Sequence, residues 1–339
     1  MLVVADQIII FIPMKSISIL VPESSVMESI GDPQYLFTVI NQFLESEGKS
    51  PAFDVQLVGA TKEVVLKQGL VTIRPQKLLN QVKETDLIII PALAIDMKTA
   101  IEANQEIIPW IIKHYKKGTE VASLCVGAFL LASTGLLDGY KCSTHWAFAN
   151  EFRNMFPKIN LVDGGIITEE NGIYTSGGAN SYWNLLLYLV EKFTDRHKAI
   201  LASKYFAIDI DRDSQASFSL FQGQKEHNDD AIKAAQTFIE ENYQKKFSVD
   251  ELANELALSR RSLERRFKKA TNNTIIEYAQ RVKIEVAKRN FELSRKNISE
   301  VMYDVGYSDT KAFRTVFKKI TGLTPIEYRN KYNKQPVLA

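Results

Sequence analysis

The stretch from Val249 to Thr321 constrains the fold more than any other, because it says the same thing twice. Val249, Leu252, Ala253 and Leu256 are spaced as the buried face of a helix, Leu258 and Ser259 make a turn, and Leu263 and Phe267 form an i, i+4 apolar pair on the next helix. Ile298, Val301 and Val305 then repeat the first helix, Gly306, Tyr307 and Ser308 the turn, and Phe313 and Phe317 the pair. The offset is 49 residues from Ser259 to Ser308 but 50 from Leu263 to Phe313 and from Phe267 to Phe317, so the second turn is expected to hold one extra residue. The ends match as well: the run Phe267 to Thr271 mirrors Phe317 to Thr321. Such a chain is expected to fold into two helix-turn-helix units joined by a long helix over Ile275 to Leu293.

With Leu263 and Phe267 inward, the opposite face of the first unit's second helix carries Arg261, Arg265 and Lys268, flanked by Arg260, Ser262, Glu264 and Lys269. The second unit offers Ser308, Thr310, Lys311, Arg314, Thr315, Lys318 and Lys319 on the corresponding face. A single cationic helix face is most often just solvated. Two of them at a fixed offset point to a duplex reader, with arginines suited to guanine edges and the lysines near the helix ends suited to phosphates. This pair, with Arg281-Val282-Lys283, the Gly306-Tyr307-Ser308 turn, and Thr321 through Pro325 to Tyr328-Arg329, resembles the C-terminal DNA-binding domain of the AraC/XylS family of transcription regulators. The resemblance covers the C-terminal third of the chain and implies double-stranded promoter DNA as partner.

Charge is distributed to match. The 339 residues carry a net charge of only +2, yet from Asn228 onward 22 Lys and Arg face 15 Asp and Glu, net +7, which leaves the rest at −5. The polyanion-binding surface therefore belongs to the C-terminal third. Cys125 and Cys142 are the only cysteines, too few for a disulfide framework, so a cytoplasmic setting is expected. Leu2 to Pro13 is apolar but lacks the basic start of a signal peptide and is too short to span a bilayer, so no membrane partner is expected. Met14-Lys15 directly precedes a good strand, so translation from Met14 rather than Met1 is an expectation that the sequence leaves open.

From Ser16 onward short β-rich runs alternate with helical segments, which predicts an α/β domain with a doubly wound, mostly parallel sheet. The expected strands are Ile17 to Val21, Phe53 to Val58, Val64 to Leu66 with Thr72 to Arg74, Leu87 to Ile90 and Val121 to Leu124. Shorter strands near Ile159 to Val162, Ile166 to Thr168 and Ile173 to Thr175 are expected to complete the sheet. The expected helices are Gln34 to Ser46, Gln76 to Gln81, Glu106 to Lys117, Val126 to Ser133 and Ser181 to Phe193. Domain boundaries are expected at 14–206 for this domain, 207–228 for a charged linker whose Phe218, Leu220 and Phe221 can dock, and 229–334 for an all-α domain with the two helix-turn-helix units.

Cys125 closes an apolar strand and opens a helix in Val121-Ala-Ser-Leu-Cys125-Val-Gly127-Ala-Phe. Such a tight turn exposes its central side chain toward helix N-terminal amides, which favours a thiolate, and Gly127 permits close backbone approach. With the run Ala128 to Ala132, Gly135 to Gly139 and Thr144-His145-Trp146, the segment resembles the ThiJ/PfpI group of the glutamine-amidotransferase-like superfamily. That implies a flavodoxin-like fold over roughly Ile17 to Phe193, and the two resemblances together imply a GlxA-like regulator that senses a small-molecule effector of unknown identity and forms a homodimer through this domain.

The departures bear on chemistry. Hydrolytic relatives place His directly after the elbow cysteine, where this chain has Val126, and hydratase-like relatives use an Asp after the first strand, where Glu28 is the nearest carboxylate of Met27-Glu28-Ser29-Ile30-Gly31-Asp32-Pro33. Asn184 likewise stands where relatives commonly have Asp. Glu28, Cys125, Val126 and His145 are thus candidates for lining an effector pocket, with no catalytic residue, no metal ligand and no cofactor expected. His145 is read first as a structural hydrogen-bonding group rather than a base for Cys125, Cys142 and Trp183 as packing residues, and Gly164-Gly165 and Gly177-Gly178 as turns. The alternative is a cysteine-dependent hydrolase or hydratase fused to a DNA-binding domain, and a third reading makes Cys125 a sensor of oxidants.

Overall fold

A computed structural model describes residues 14–94, 96–210, 214–221, 223–225 and 227–333. The apolar stretch Leu2 to Pro13, Lys334 at the expected end of the second domain, and Asp211, Arg212, Asp213, Gln222 and Glu226 of the expected linker lie outside the described residues. The chain forms two compact units, one ending at Gln215 and the other beginning at Ala216, a border inside the stretch 207–228. The described residues of that stretch are packed rather than free. Ile208 and Ile210 lie against the core of the first unit. The Phe221 ring lies 5.1 Å from that of Tyr278 in the second unit, and Gln224 O accepts from Gln236 Nε2 at 2.9 Å.

The first unit is built on consecutive apolar strands. Every residue of Leu87–Ile90 is fully buried, as a strand covered on both faces requires. In chain order the elements begin β1 (Lys15–Leu20), α1 (Glu28–Ser46), β2 (Phe53–Gly59), β3 (Val64–Leu66), β4 (Val71–Ile73), β5 (Lys77–Leu78), β6 (Leu87–Ile90), α2 (Met97–Ala103), α3 (Ile107–Tyr115) and β7 (Glu120–Ser123). There follow α4 (Ala128–Ala132), β8 (Lys141–Cys142), α5 (Ala149–Met155), β9 (Asn160–Leu161), β10 (Ile167–Glu170), β11 (Ile173–Ser176), α6 (Tyr182–Phe193) and α7 (Arg196–Tyr205). The main sheet runs β10-β11-β7-β6-β1-β2-β5, parallel throughout except for β10 against β11. Its inner five strands follow the flavodoxin order, which reverses between β1 and β6 and leaves a crevice beyond the carboxyl ends of those strands.

Several local expectations are corrected. Gln76 to Gln81 is no helix: the open edge of β2 recruits Lys77 and Leu78 as β5, opposite Val58 and Gly59, and a single tight turn follows. β3 and β4 pair only with each other, and β9 pairs with β8, so neither pair completes the main sheet. α1 starts six residues before the expected Gln34, through Pro33, because Ile30 and Pro33 continue the buried face of Leu36, Phe37, Ile40 and Leu44. Burial outweighs the one backbone bond that proline cannot donate. The segment expected as helix Val126 to Ser133 opens with a 3-10 turn, Cys125–Gly127, and only then becomes α4.

The second unit is all helix: α8 (Asp230–Glu241), α9 (Val249–Glu255), α10 (Arg260–Thr271), α11 (Ile275–Leu293), α12 (Ile298–Asp304), α13 (Thr310–Thr321) and α14 (Pro325–Tyr332). It holds two small cores. Leu252, Leu263, Phe267 and Tyr278 anchor one, and Val301, Phe313, Phe317 and Tyr328 the other. α11 supplies both, its first half to the former and its second half to the latter.

Candidate functional sites

The two halves of the second unit are duplicated down to individual hydrogen bonds. Ser248 with Glu251 caps α9 and Asn297 with Glu300 caps α12, each a reciprocal side-chain and backbone pair. Thr274 with Glu277 and Thr324 with Glu327 do the same for α11 and α14. At the far end of α10, Thr271 Oγ1 donates to Phe267 O at 2.8 Å, and at the far end of α13, Thr321 Oγ1 donates to Phe317 O at 2.9 Å. Both helices then stop on a left-handed residue, Asn272 and Gly322. The caps also correct the repeat: α10 is capped by Ser259 but α13 by Asp309, whose carboxylate accepts the Ala312 N–H. Ser308 is therefore the extra turn residue, not the counterpart of Ser259.

Arg261, Glu264, Arg265, Lys268 and Lys269 of α10 are exposed around the buried Leu263 and Phe267, and Ser262 is half-buried. Ser308, Thr310, Lys311, Arg314, Thr315, Lys318 and Lys319 are likewise exposed around Phe313 and Phe317. Not all are equally free. Arg260 is tied to Asp250 at 2.9 Å and to Glu264 at 3.0 Å, and Lys268 Nζ donates to the last carbonyl of its helix end, Asn272 O, at 2.8 Å. Thr315 Oγ1 is turned back onto Lys311 O at 2.8 Å. Arg261, Arg265, Lys311 and Arg314 make no ion pair among the described residues, so their guanidinium and ammonium groups stand ready for an external anion. Arg266 points elsewhere, forked onto the Asp229 carboxylate that caps α8.

In the first unit Cys125 sits where β7 turns into α4, with φ of 55°, a left-handed backbone that side chains other than glycine rarely adopt. The turn is held from both sides. Cys125 N–H donates to Ser176 Oγ at 3.0 Å, and Thr144 Oγ1 donates to Cys125 O at 3.2 Å. Gly127 is required by packing, since a Cβ there would stand 2.5 Å from Pro91 O. Burial pushes the thiol up from its ordinary pKa, against the weaker opposite pull of the Ala179 and Val126 amides. The expectation of a thiolate is thereby corrected: the short α4 does not offset desolvation. Cys142 is fully buried, its thiol pushed up to about 12 by the same cause.

His145 and Glu28 are both engaged with other partners. His145 Nδ1 accepts the Ala147 N–H at 3.0 Å, and burial lowers its pKa, so the ring is a capping group. Glu28 is paired with Lys67 at 2.7 Å, which lowers its pKa. Val126 is buried beside the cysteine. What sequence reasoning missed is Tyr182, whose hydroxyl donates to Asp32 and whose pKa is raised by burial, by Asp32 and by the nearby Cys125. Asp32, one turn beyond Glu28, is thus the carboxylate that Tyr182 bonds, and Glu28 adds to the same field. Gly164, with φ of 69°, lies in the turn that Gly165 N–H closes onto Val162 O, and Gly178 opens the turn closed by Ser181 N–H; packing adds a second reason for glycine at Gly178, where a Cβ would meet the His145 ring at 2.1 Å. An open groove of about 210 Å³ lined by Met27, Ile30, Gly31, Gln34, Leu57, Ile73 and Gln76 lies beside the start of α1, and none of the four pocket candidates lines it.

Comparison with known proteins agrees with this geometry. Residues 252–331 match the helix-turn-helix domain family and residues 35–192 the DJ-1/PfpI family. The uncharacterized HTH-type transcriptional regulator in the cgkA 5′ region of Pseudoalteromonas carrageenovora is 34% identical over 123 residues, which are 36% of this chain and 73% of that protein. The chain belongs to the AraC-type helix-turn-helix regulators. The HTH-type transcriptional regulator ArgR of Pseudomonas aeruginosa is 25% identical over 216 residues, 63% of this chain, and the chain spans only 65% of that relative's length. A solved structure described as a transcriptional regulator protein from Vibrio parahaemolyticus shares the fold of the first unit, with a TM-score of 0.51 at 22% identity over 57% of this chain and 98% of its own. Membership places the regulator's two helix-turn-helix units in α9–α10 and α12–α13 and its DJ-1/PfpI-like fold in the parallel sheet, and no helix among the described residues is long and apolar enough to cross a membrane.

Proposed function

We propose that this chain is a sequence-specific, DNA-binding transcriptional regulator that reads two successive major grooves with α10 and α13 and senses a small metabolite with its first unit. The observation that carries the reading is the pair of side-chain-capped helices, 50 residues apart, presenting exposed cations around the buried Leu263 and Phe267 in one and Phe313 and Phe317 in the other. Arg261, Glu264 and Arg265 are assigned to base edges in one groove, and Lys311, Arg314 and Thr315 in the next, while Lys268, Lys269, Lys318 and Lys319 hold phosphates. The effector is placed against Cys125, Val126, Tyr182 and Asp32, at the carboxyl end of the sheet, and the first unit is the proposed homodimer interface. The compartment that goes with this reading is the cytoplasm. The test is duplex binding by the full chain: affinity should fall with salt with a log–log slope of about −5 if roughly six phosphates are neutralised. A salt-independent interaction, or none with any promoter duplex, sinks the reading.

A cysteine enzyme is the second reading, favoured by the strained φ of Cys125. Against it stand a thiol raised by burial, a hydrophobic Val126 in the adjacent position and a His145 committed to capping. The regulator is accordingly proposed to lack hydrolase, hydratase or glyoxalase turnover. Robust turnover abolished in Cys125→Ala would reverse that choice.

A further inference from the structure

Gln215 is the last residue of the first unit, and its side chain is set into the segments that hold the elbow. It is 2% exposed. Its Nε2 donates to Thr144 O at 2.9 Å and to Gly165 O at 3.0 Å, and its Oε1 accepts the N–H groups of Gly178 at 3.0 Å and Trp146 at 3.3 Å. A carboxamide alone among neutral side chains satisfies two carbonyls and two N–H groups together. Gly177 makes the seat possible, since a Cβ there would stand 2.8 Å from Nε2. Thr144 bonds the Cys125 carbonyl through its own hydroxyl, and Ser176, two residues before Gly178, accepts the Cys125 N–H.

Two residues later the chain is committed to the second unit. Ser217 O accepts from Tyr332 Oη at 3.0 Å, Ser219 O from Lys288 Nζ at 2.6 Å, and Phe221 N–H donates to Glu285 at 3.1 Å. Lys288 and Glu285 form a buried ion pair at 2.8 Å on α11, the helix that both cores share. Only Ala216 separates the two sets of anchors, so the chain between Gln215 and Ser217 can span at most roughly 7 Å.

We infer that Gln215 is a coupling pin. It ties the state of the elbow to the strap 216–221, and through Lys288 and Glu285 to α11, so that a molecule lodging against Cys125 and shifting Thr144 or Gly178 alters the hold on the helix between the two recognition halves. The strap is the element with two states, seated or released, and an effector biases it by binding one of them better. The DNA-binding output rests on the proposed function; the coupling itself does not.

The test uses the full chain, with amide hydrogen exchange and duplex affinity as separate readouts. Gln215→Ala should speed exchange at Trp146 and Gly178, speed it also at Phe221 and within α11, and shift duplex Kd by roughly 5-fold or more. Inserting Gly-Ser-Gly-Ser between Gln215 and Ala216 adds slack without touching either set of anchors. With the insertion present, Gln215→Ala should still expose Trp146 and Gly178 but no longer affect Phe221, α11 or Kd. A Gln215→Ala effect confined to Trp146 and Gly178, or one on α11 that survives the insertion, overturns the inference. Should Gln215→Ala fail to fold, Gln215→Glu, which keeps the shape but turns an acceptor toward the Thr144 and Gly165 carbonyls, is read the same way. Coupled exchange in a chain that binds no duplex would leave the pin standing and remove the proposed function.

Discussion

The two halves of the second unit are alike where they are buried or capped and unlike where they are exposed. Leu263 and Phe267 are matched by Phe313 and Phe317, the Thr271 hydrogen bonds by those of Thr321, and the Ser248 capping box by that of Asn297. On the outer face Arg261 is answered by Lys311, Glu264 by Arg314 and Arg265 by Thr315. Packing and backbone satisfaction leave few acceptable side chains at an inner position, whereas an exposed position is free to follow what it touches. The comparison teaches that a duplicated frame carries two different outer faces, and on the proposed function the stricter reading is expected on α10, where Arg265 can make two bonds to a guanine and Thr315 cannot.

The largest expected effect tests the frame. Phe267→Ala and Phe317→Ala each remove a fully buried ring and should each destabilise the second unit by about 3–5 kcal/mol in urea titrations; a large difference between them would break the equivalence of the halves. Next comes the reading face. Arg265→Ala should cost about 1–3 kcal/mol on the preferred site and relax selection at one base pair in a randomised-duplex library, while Lys319→Ala weakens all duplexes alike. An unchanged preferred sequence in Arg265→Ala, or an altered one in Lys319→Ala, would reassign these roles.

The turns sharpen the comparison further, because the same left-handed backbone is held by Ala257 with φ of 51° in one half and by Gly306 with φ of 77° in the other. Ala257→Gly should change stability little or raise it, by up to about 1 kcal/mol, as relief of strain offsets glycine's entropy. Gly306→Ala should lower it by more than that, because the added Cβ would stand 2.1 Å from Gln244 O. Equal effects of the same sign would mean that the turns are not equivalent.

The smallest expected effect separates the first unit from the second. His114 on α3 is buried, its Nδ1 without a partner in the structure, and burial with Lys117 and Lys113 lowers its pKa. The unfolded chain therefore binds that proton more readily than the folded one. The stability His114 contributes as a neutral ring is fully present above its unfolded pKa of about 6.5 and is lost as pH falls from there through the lower folded value. A mild loss of stability below neutrality, absent from His114→Phe, is expected in thermal melts of the full chain; an unchanged acid limb in that variant would place the titrating group elsewhere.

Repetition and periodicity made the second unit legible from the residues alone. The spacing of Val249, Leu252, Leu263 and Phe267, and its return 49 and 50 residues on, specifies the helices, their inner faces and the exposed cations, because helix periodicity and capping are local physics. The consecutive apolar runs gave the strands of the parallel sheet by the same kind of reasoning, and the apolar strand, Cys125 and Gly127 marked the elbow. What followed from partners distant in the chain could not be read. Whether Lys77 and Leu78 became helix or strand depended on the open edge of β2, and whether Ser259 answered to Ser308 or Asp309 on which side chain reached the helix amides. Which way the Cys125 pKa moved depended on burial outweighing two amides, and which carboxylate Tyr182 bonds depended on where its hydroxyl, 150 residues from Asp32, came to lie. Gln215 looked like one polar residue in a charged linker, and only the fold could decide that its carboxamide closes on Thr144, Gly165 and Gly178. Hydrogen bonding and desolvation are set by whatever the folded chain brings within a few ångströms, and sequence spacing does not carry that information.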